Sequence, residues 1–438
     1  YISEGLMIFF TIFFTDNCEI SNIFIKLKIR NFKGGNFVKK IQVIIGIALA
    51  ILTIVLGSIL LEGMLLFRLF IGAVIGYALV RGAFGFAGSV NRAYRNGSTK
   101  LIRAMMFLFV ISAIGTAVLL FGGHQVNISY NPINLALILG AFSFGIGMSL
   151  ASCCASGVLQ NLSGGSIKYL LVLFFFGAGV FFASPLKDLG IYTNGEGINF
   201  IDWFKGDFAM FGALLVVLVL ALVVTYIALF VERKLKDKGL HTEIESESAY
   251  KEYIDDELPL NPISEETYKV ILGNPWSLKT AAIVIAFAFV TLMIVTGGTW
   301  GISGVFGTWF AKLLSLFGVS TKWLAEYSGG SEAGIIKVFS THPISIQDMG
   351  IFLGAIIATL TMAKFSFKWR MTWKQAGIYA LGGLLLGLGI TLGRGCNAGG
   401  LFSPIATFSL SGWIYLVLMV SGAILGNYIL KNVCKIDD

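Results

Sequence analysis

The chain has 438 residues, of which 56% are hydrophobic and 13% charged, and its formal net charge is +8. A soluble domain carries about 45–50% apolar and about 25% charged residues, so this composition describes a polytopic membrane protein instead. The basic residues gather in a few short loops, as topology determinants do, so the positive charge is not the footprint of a nucleic acid, and no nucleic-acid module is visible.

Taken in order, the chain opens with an apolar run, Leu6 to Phe14, too short for a bilayer that needs about 20 apolar residues. A basic amphipathic stretch, Ile23 to Lys33, follows. Residues 1–37 are therefore expected to be a dispensable N-terminal extension, the native start lying near Val38-Lys39-Lys40. Apolar segments come next at Ile41 to Leu61, Met64 to Val80, Ala104 to Gly122, Ile133 to Ser152, Tyr169 to Ser184, Phe208 to Val231, Leu278 to Gly297, Gly350 to Ala363, Ala376 to Leu392 and Trp413 to Leu430. By length these make roughly ten crossings. Positive charge before Ile41, from Arg92 to Arg103, from Arg233 to Lys238 and from Lys364 to Lys374 places those loops, and both termini, on the cytoplasmic side. The loops Gly123 to Pro132, Lys187 to Asp207 and Gly318 to Asp348 carry little positive charge and belong outside.

The expected organisation is an extension (1–37), a leading transmembrane helix (38–63), a first repeat (64–185), an outer loop with a connecting helix (186–231), an acidic cytoplasmic linker (232–276), a second, inverted repeat (277–431) and a tail (432–438). The linker is a solvated charge run from Glu243 to Glu266.

The repeat is read from two pairs of stretches. Ala151-Ser152-Cys153-Cys154-Ala155-Ser156-Gly157 ends one glycine-rich helix, and Gly393-Arg394-Gly395-Cys396-Asn397-Ala398-Gly399-Gly400 ends another, with Cys154 falling on Cys396 and Gly157 on Gly399. Glycine-rich stretches around Gly85 and Gly304 also match, each after the first helix of its half. A single connecting crossing between the copies turns the second upside down, and inverted repeats set a substrate site near the midplane. The segments Ala155 to Ser166 and Asn397 to Ser411 are too short and polar to cross, so they read as re-entrant short helices. The N-terminus of each such helix would face the same point as its thiol, a setting for an anion. The fold class expected is thus an all-α polytopic membrane protein with two inverted repeats of about four transmembrane helices each.

His124, His241 and His342 stand far apart and are read as loop residues; the five cysteines show no metal spacing, and no cofactor is expected. No nucleotide-binding signature is present. Cys18 and Cys434 lie outside the motifs.

At the two cysteine motifs the chain resembles the YeeE/YedE family of bacterial inner-membrane sulfur transporters, over most of its length from about Gly63 to Ile429. The resemblance implies an hourglass of two halves with re-entrant helices, in which cysteine thiols pass thiosulfate by S–H hydrogen bonds. Cys154 and Cys396 match two of the family's three cysteines. The third falls at Gly85 in Arg81-Gly82-Ala83-Phe84-Gly85, which leaves the relay one member short and the substrate open between thiosulfate and another sulfur or selenium species.

A thiol path has a physical logic: an oxyanion stripped of water in the bilayer needs replacement donors, and neutral thiols supply them where thiolates would repel. Neutral thiols are therefore expected at Cys154 and Cys396. Ser152, Ser156, Asn397 and Ser403 are further candidate donors, and Cys153 is either a pathway member or packing. Arg394 either attracts anions at the outer mouth or snorkels at the interface. Gly157, Gly393, Gly395, Gly399, Gly85 and Gly304 are the packing or pathway glycines. Two rivals stay open: a membrane-embedded sulfurtransferase, whose persulfide passes to a small cytoplasmic sulfur carrier protein, and a purely structural subunit.

Overall fold

The computed structural model describes residues 35–242, 244 and 272–435. The stretches Leu6 to Phe14 and Ile23 to Lys33, Cys18, and nearly all of the linker acids from Glu243 to Glu266 lie outside the described residues. We number the helices of eight residues or more: α1 (Gly35–Leu60), α2 (Gly63–Arg81), α3 (Phe86–Asn96), α4 (Lys100–Phe121), α5 (Leu135–Leu150), α6 (Ala155–Leu162), α7 (Lys168–Ala183), α8 (Ala209–Asp237), α9 (Leu278–Thr296), α10 (Phe306–Leu316), α11 (Thr321–Ser328), α12 (Pro343–Thr361), α13 (Trp373–Leu392) and α14 (Leu410–Tyr428). Ten stretches of the described residues are helical, long and apolar enough to cross a membrane, the number the apolar segments predict. Extended backbone among the described residues is confined to isolated bridges. The molecule is an all-α multi-pass membrane protein.

Polar caps mark several helix starts. Asn134 accepts the Leu137 N–H at 3.0 Å to open α5, Ser277 accepts that of Thr280 to open α9, and Thr372 with Gln375 forms a capping box on α13. One boundary differs from the sequence expectation. α12 opens at Pro343 with His342 as its cap, so Gln347 and Asp348, read as the end of an outer loop, are buried turns of the helix. Polar residues within a membrane helix hide its start from a hydropathy count. His342, read as a loop residue, accepts the Ser345 N–H at 3.4 Å.

Small residues bring the helices to backbone contact, as they do where lipid offers no hydrophobic drive between helices. On α2, Gly72 and Gly76 lie against the carbonyls of Gln347 and Ile351, while on α12 Gly350 and Gly354 lie against those of Leu69 and Ala73. α5 runs antiparallel to α13: Gly140 meets Gly393, Gly389 meets Phe144, and Gly147 meets Leu386. α14 runs parallel to α5, with Gly422 on Phe142 and Gly426 on Ile146, and α7 runs parallel to α13, with Val172 at Gly383 and Gly179 at Gly387. Two helices stand at the edge: only 17% of each apolar window is buried in α1 and α8. α8 is tied inward by Glu232, whose carboxylate accepts from the Thr99 N–H and hydroxyl, Arg103 and Lys236.

Candidate functional site

Three helices end alike. α2, α5 and α13 each stop on a non-glycine residue in the left-handed region: Ala83 (φ 46°), Ser152 (φ 55°) and Arg394 (φ 59°). Two residues further on, Gly85 (φ −108°), Cys154 (φ −112°) and Cys396 (φ −89°) are extended and cap the short piece that follows. The Phe84 N–H closes α2 by donating to the Leu79 carbonyl, and the Gly395 N–H closes α13 through Ile390. A left-handed L-residue costs about 1–2 kcal/mol, and such strain gathers at functional sites. The local geometry therefore sets Gly85 in the same role as the two cysteines.

Both short pieces begin where the motifs place them. Cys154 is the N-cap of α6, and Cys396 that of a wide turn, Asn397–Phe402, running into Ser403–Ala406. Each cysteine is only 1% exposed. The Cys154 Sγ is 3.4 Å from the Ser156 hydroxyl. The Cys396 thiol meets the Ser303 side chain and the N–H groups of Ala398 and Gly399, and it lies within electrostatic range of Cys154. Tyr415, wholly buried, interacts with both thiols and donates its hydroxyl to the Gly395 carbonyl at 3.0 Å. The two cysteines thus share one interior. Cys153, equally buried, is a free thiol beside Cys154.

The remaining predicted residues divide by contact. A Cβ on Gly304 would meet nothing within 4 Å; on Gly85 and Gly399 the nearest atoms would stand at 4.0 Å and 3.9 Å. Space is open beside these three. Gly157 touches the Cys154 sulfur at 3.4 Å, whereas Gly393 and Gly395 are hemmed in by backbone. Asn397 is buried, its amide N–H directed at the Met148 sulfur at 3.5 Å and its Oδ1 without a partner. Ser403 instead donates to the Trp300 carbonyl at 2.9 Å. Arg394 holds the outer segment: its guanidinium lies 3.9 Å over the Tyr192 ring and donates to the Tyr192 carbonyl at 2.5 Å.

Sequence reasoning missed Ser303, Tyr415 and the aromatic wall around Phe402, which packs on Phe289 (4.6 Å), Phe109 (5.7 Å) and Trp300 (5.8 Å). Ser303 lies inside the glycine-rich stretch already singled out, so its position was signalled; Tyr415 sits in an apolar run with no such mark. A network of Ser149, Asn91, Asn427 and Arg95 ties α3, α5 and α14 beneath the cysteine turn. Arg81, 1% exposed, stacks on Tyr77 and Trp276 and donates to the Leu272 carbonyl, joining the end of α2 to the approach to α9.

A multi-pass helical protein with buried thiols on interrupted helices, where irregular backbone is sheltered by protein, is the class these features define. The chain belongs to the family described as Sulphur transport, which matches residues 81–425. It is 27% identical over 372 residues to the thiosulfate transporter TsuA of Spirochaeta thermophila, covering 81% of this chain and 95% of that one. It is 23% identical over 365 residues to the thiosulfate transporter TsuA of Escherichia coli K12, covering 82% and 92%. A shorter match, 30% over 140 residues, covers 30% of this chain and 32% of the probable transporter YedE of Escherichia coli K12.

Proposed function

We propose that the protein carries a small sulfur-containing anion, thiosulfate or a related sulfur or selenium species, across the bacterial inner membrane, handing it between the neutral thiols of Cys154 and Cys396. The observation that carries this reading is the approach of the two thiols within one interior from oppositely running helices, α5 and α13. The two TsuA relatives, covered almost end to end, support the substrate class.

The helix pairs also support an inverted duplication. Exchanging the halves turns the α2–α12 pair into α9–α4 and the α5–α14 pair into α13–α7, and each of these pairs is in contact. The basic loops set the α5 C-terminus toward the cytoplasm and the α13 C-terminus outward.

In the mechanism, an anion leaving water loses hydration worth several kcal/mol or more unless donors take its place. The Cys396 thiol, the Ser303 hydroxyl and the Ala398 and Gly399 N–H groups form one donor set; Cys154 and Ser156 form the next. The open space at Gly85, Gly304 and Gly399 leaves room for the anion to pass. The persulfide-carrying alternative needs an accessible, activated thiolate, and thiols only 1% exposed speak against it. Incubating reconstituted protein with radiolabelled thiosulfate separates the two. Label inside the vesicles with cysteines unmodified by mass spectrometry supports the carrier; label bound to Cys154 or Cys396 without uptake supports the transferase.

A further inference from the structure

Away from the thiols lies a second feature that the relay does not use. A cavity of about 510 Å³ opens between the loop joining α6 to α7 and the loop joining α12 to α13. Lys168, Lys364, Lys368 and Arg370 line it, together with Gln160 and Tyr379, and no carboxylate is among its described lining residues. Its rim is built. The Lys368 N–H donates to the Gly165 carbonyl at 2.9 Å and the Ile167 N–H to the Lys368 carbonyl at 3.2 Å. Gly165, at φ 84°, lets the two strands approach: a Cβ there would stand 2.8 Å from the Ser366 carbonyl oxygen.

Topology accounts for basic residues in this loop, but not for where Lys168 sits. Lys168 is half-buried, its ammonium 5.1 Å from the Tyr169 ring and 5.0 Å from the Tyr379 ring, and its charge reaches the buried Cys153 thiol. A partly desolvated ammonium held by two aromatic faces is a fixed charge, worth more to an anion than a solvated lysine. α7 and α13 also begin at this cavity, so two positive helix ends point toward it.

We propose that this vestibule is an anion-binding site at the cytoplasmic end of the path, taking a small sulfur oxyanion with part of its water shell, with Lys168 as the central contact between the open cavity and Cys153. The assignment rests on the transporter reading, so its test is equilibrium binding and not flux. Purified protein carrying Cys154→Ala and Cys396→Ala, which removes the relay thiols, is titrated with thiosulfate and then with sulfate by calorimetry in detergent. Saturable binding is expected, weakened about tenfold or more by adding Lys168→Gln, as for loss of one charge-assisted contact. Lys168→Arg restores most of it, and Lys322→Gln, on α11, leaves it unchanged. Folding of each variant is checked by gel filtration and melting temperature, and if Lys168→Gln is unfolded, the Lys364→Gln/Arg370→Gln pair is read in its place with the same expectation. No saturable binding in the cysteine-free background, or equal binding with and without the Lys168 charge, overturns the assignment. Binding that persists while vesicles show no thiosulfate flux leaves the vestibule standing and removes the transporter reading instead.

Discussion

Gly140 and Gly393 lie back to back where α5 crosses α13, so closely that a Cβ on Gly140 would fall on the Gly393 amide nitrogen. This crossing brings the two cysteine-bearing helices together. Gly140→Ala forces the helices apart, and overpacking of this kind costs about 1–3 kcal/mol. A lower melting temperature in detergent is the expected result. Gly377→Ala, also on α13 but with nothing within 4 Å, is expected to be neutral or slightly stabilising. Equal melting of the two variants would show that the crossing is looser than described.

Gly85 has the extended backbone of the two cysteine caps, follows the same left-handed residue, and has no neighbour closer than 4.0 Å to a new Cβ. Gly85→Cys is therefore expected to fold normally and to raise thiosulfate uptake several-fold by adding a thiol donor. An unchanged rate would place Gly85 off the path.

Glu232 binds Thr99, Arg103 and Lys236 from a position only 4% exposed, and it is the inward anchor of the edge helix α8. Removing one member of a buried charge network costs about 3–5 kcal/mol. Glu232→Ala should lower the yield of folded protein sharply and raise protease cleavage near α8, while an exposed carboxylate such as Glu326 should tolerate alanine.

His342 caps α12 as a neutral acceptor, and burial, then the nearby Arg68 charge, hold its pKa below the usual 6.5. The unfolded chain takes up the proton more readily, so this contribution to stability is present above pH 6.5 and lost as pH falls through the lower folded value. Melting temperature followed from about pH 8 to about pH 5 should fall more steeply for the wild type than for His342→Asn. Parallel curves would contradict the cap.

The ten crossings were legible because apolar length and glycine spacing are local properties of the chain. The paired cysteine turns were legible because two copies of one pattern stand out where one would not. The start of α12 was hidden by Asp348, whose carboxyl is fully buried with no hydrogen-bond partner among the described residues. The helix ends were hidden for another reason: Ala83, Ser152 and Arg394 take a conformation that glycine usually marks, so turn chemistry gives no sign of it. Tyr415 and Ser303 reach the thiols from segments distant in sequence, and such meetings follow from packing rather than from spacing.

The account depends most on two thiols serving one anion. Uptake of radiolabelled thiosulfate into proteoliposomes, compared among the wild type, Cys154→Ala and Cys396→Ala at matched protein content, tests this directly. Each substitution is expected to slow uptake by about tenfold or more, the effect of losing one donor to a dehydrated anion. Wild-type rates in both variants would contradict it.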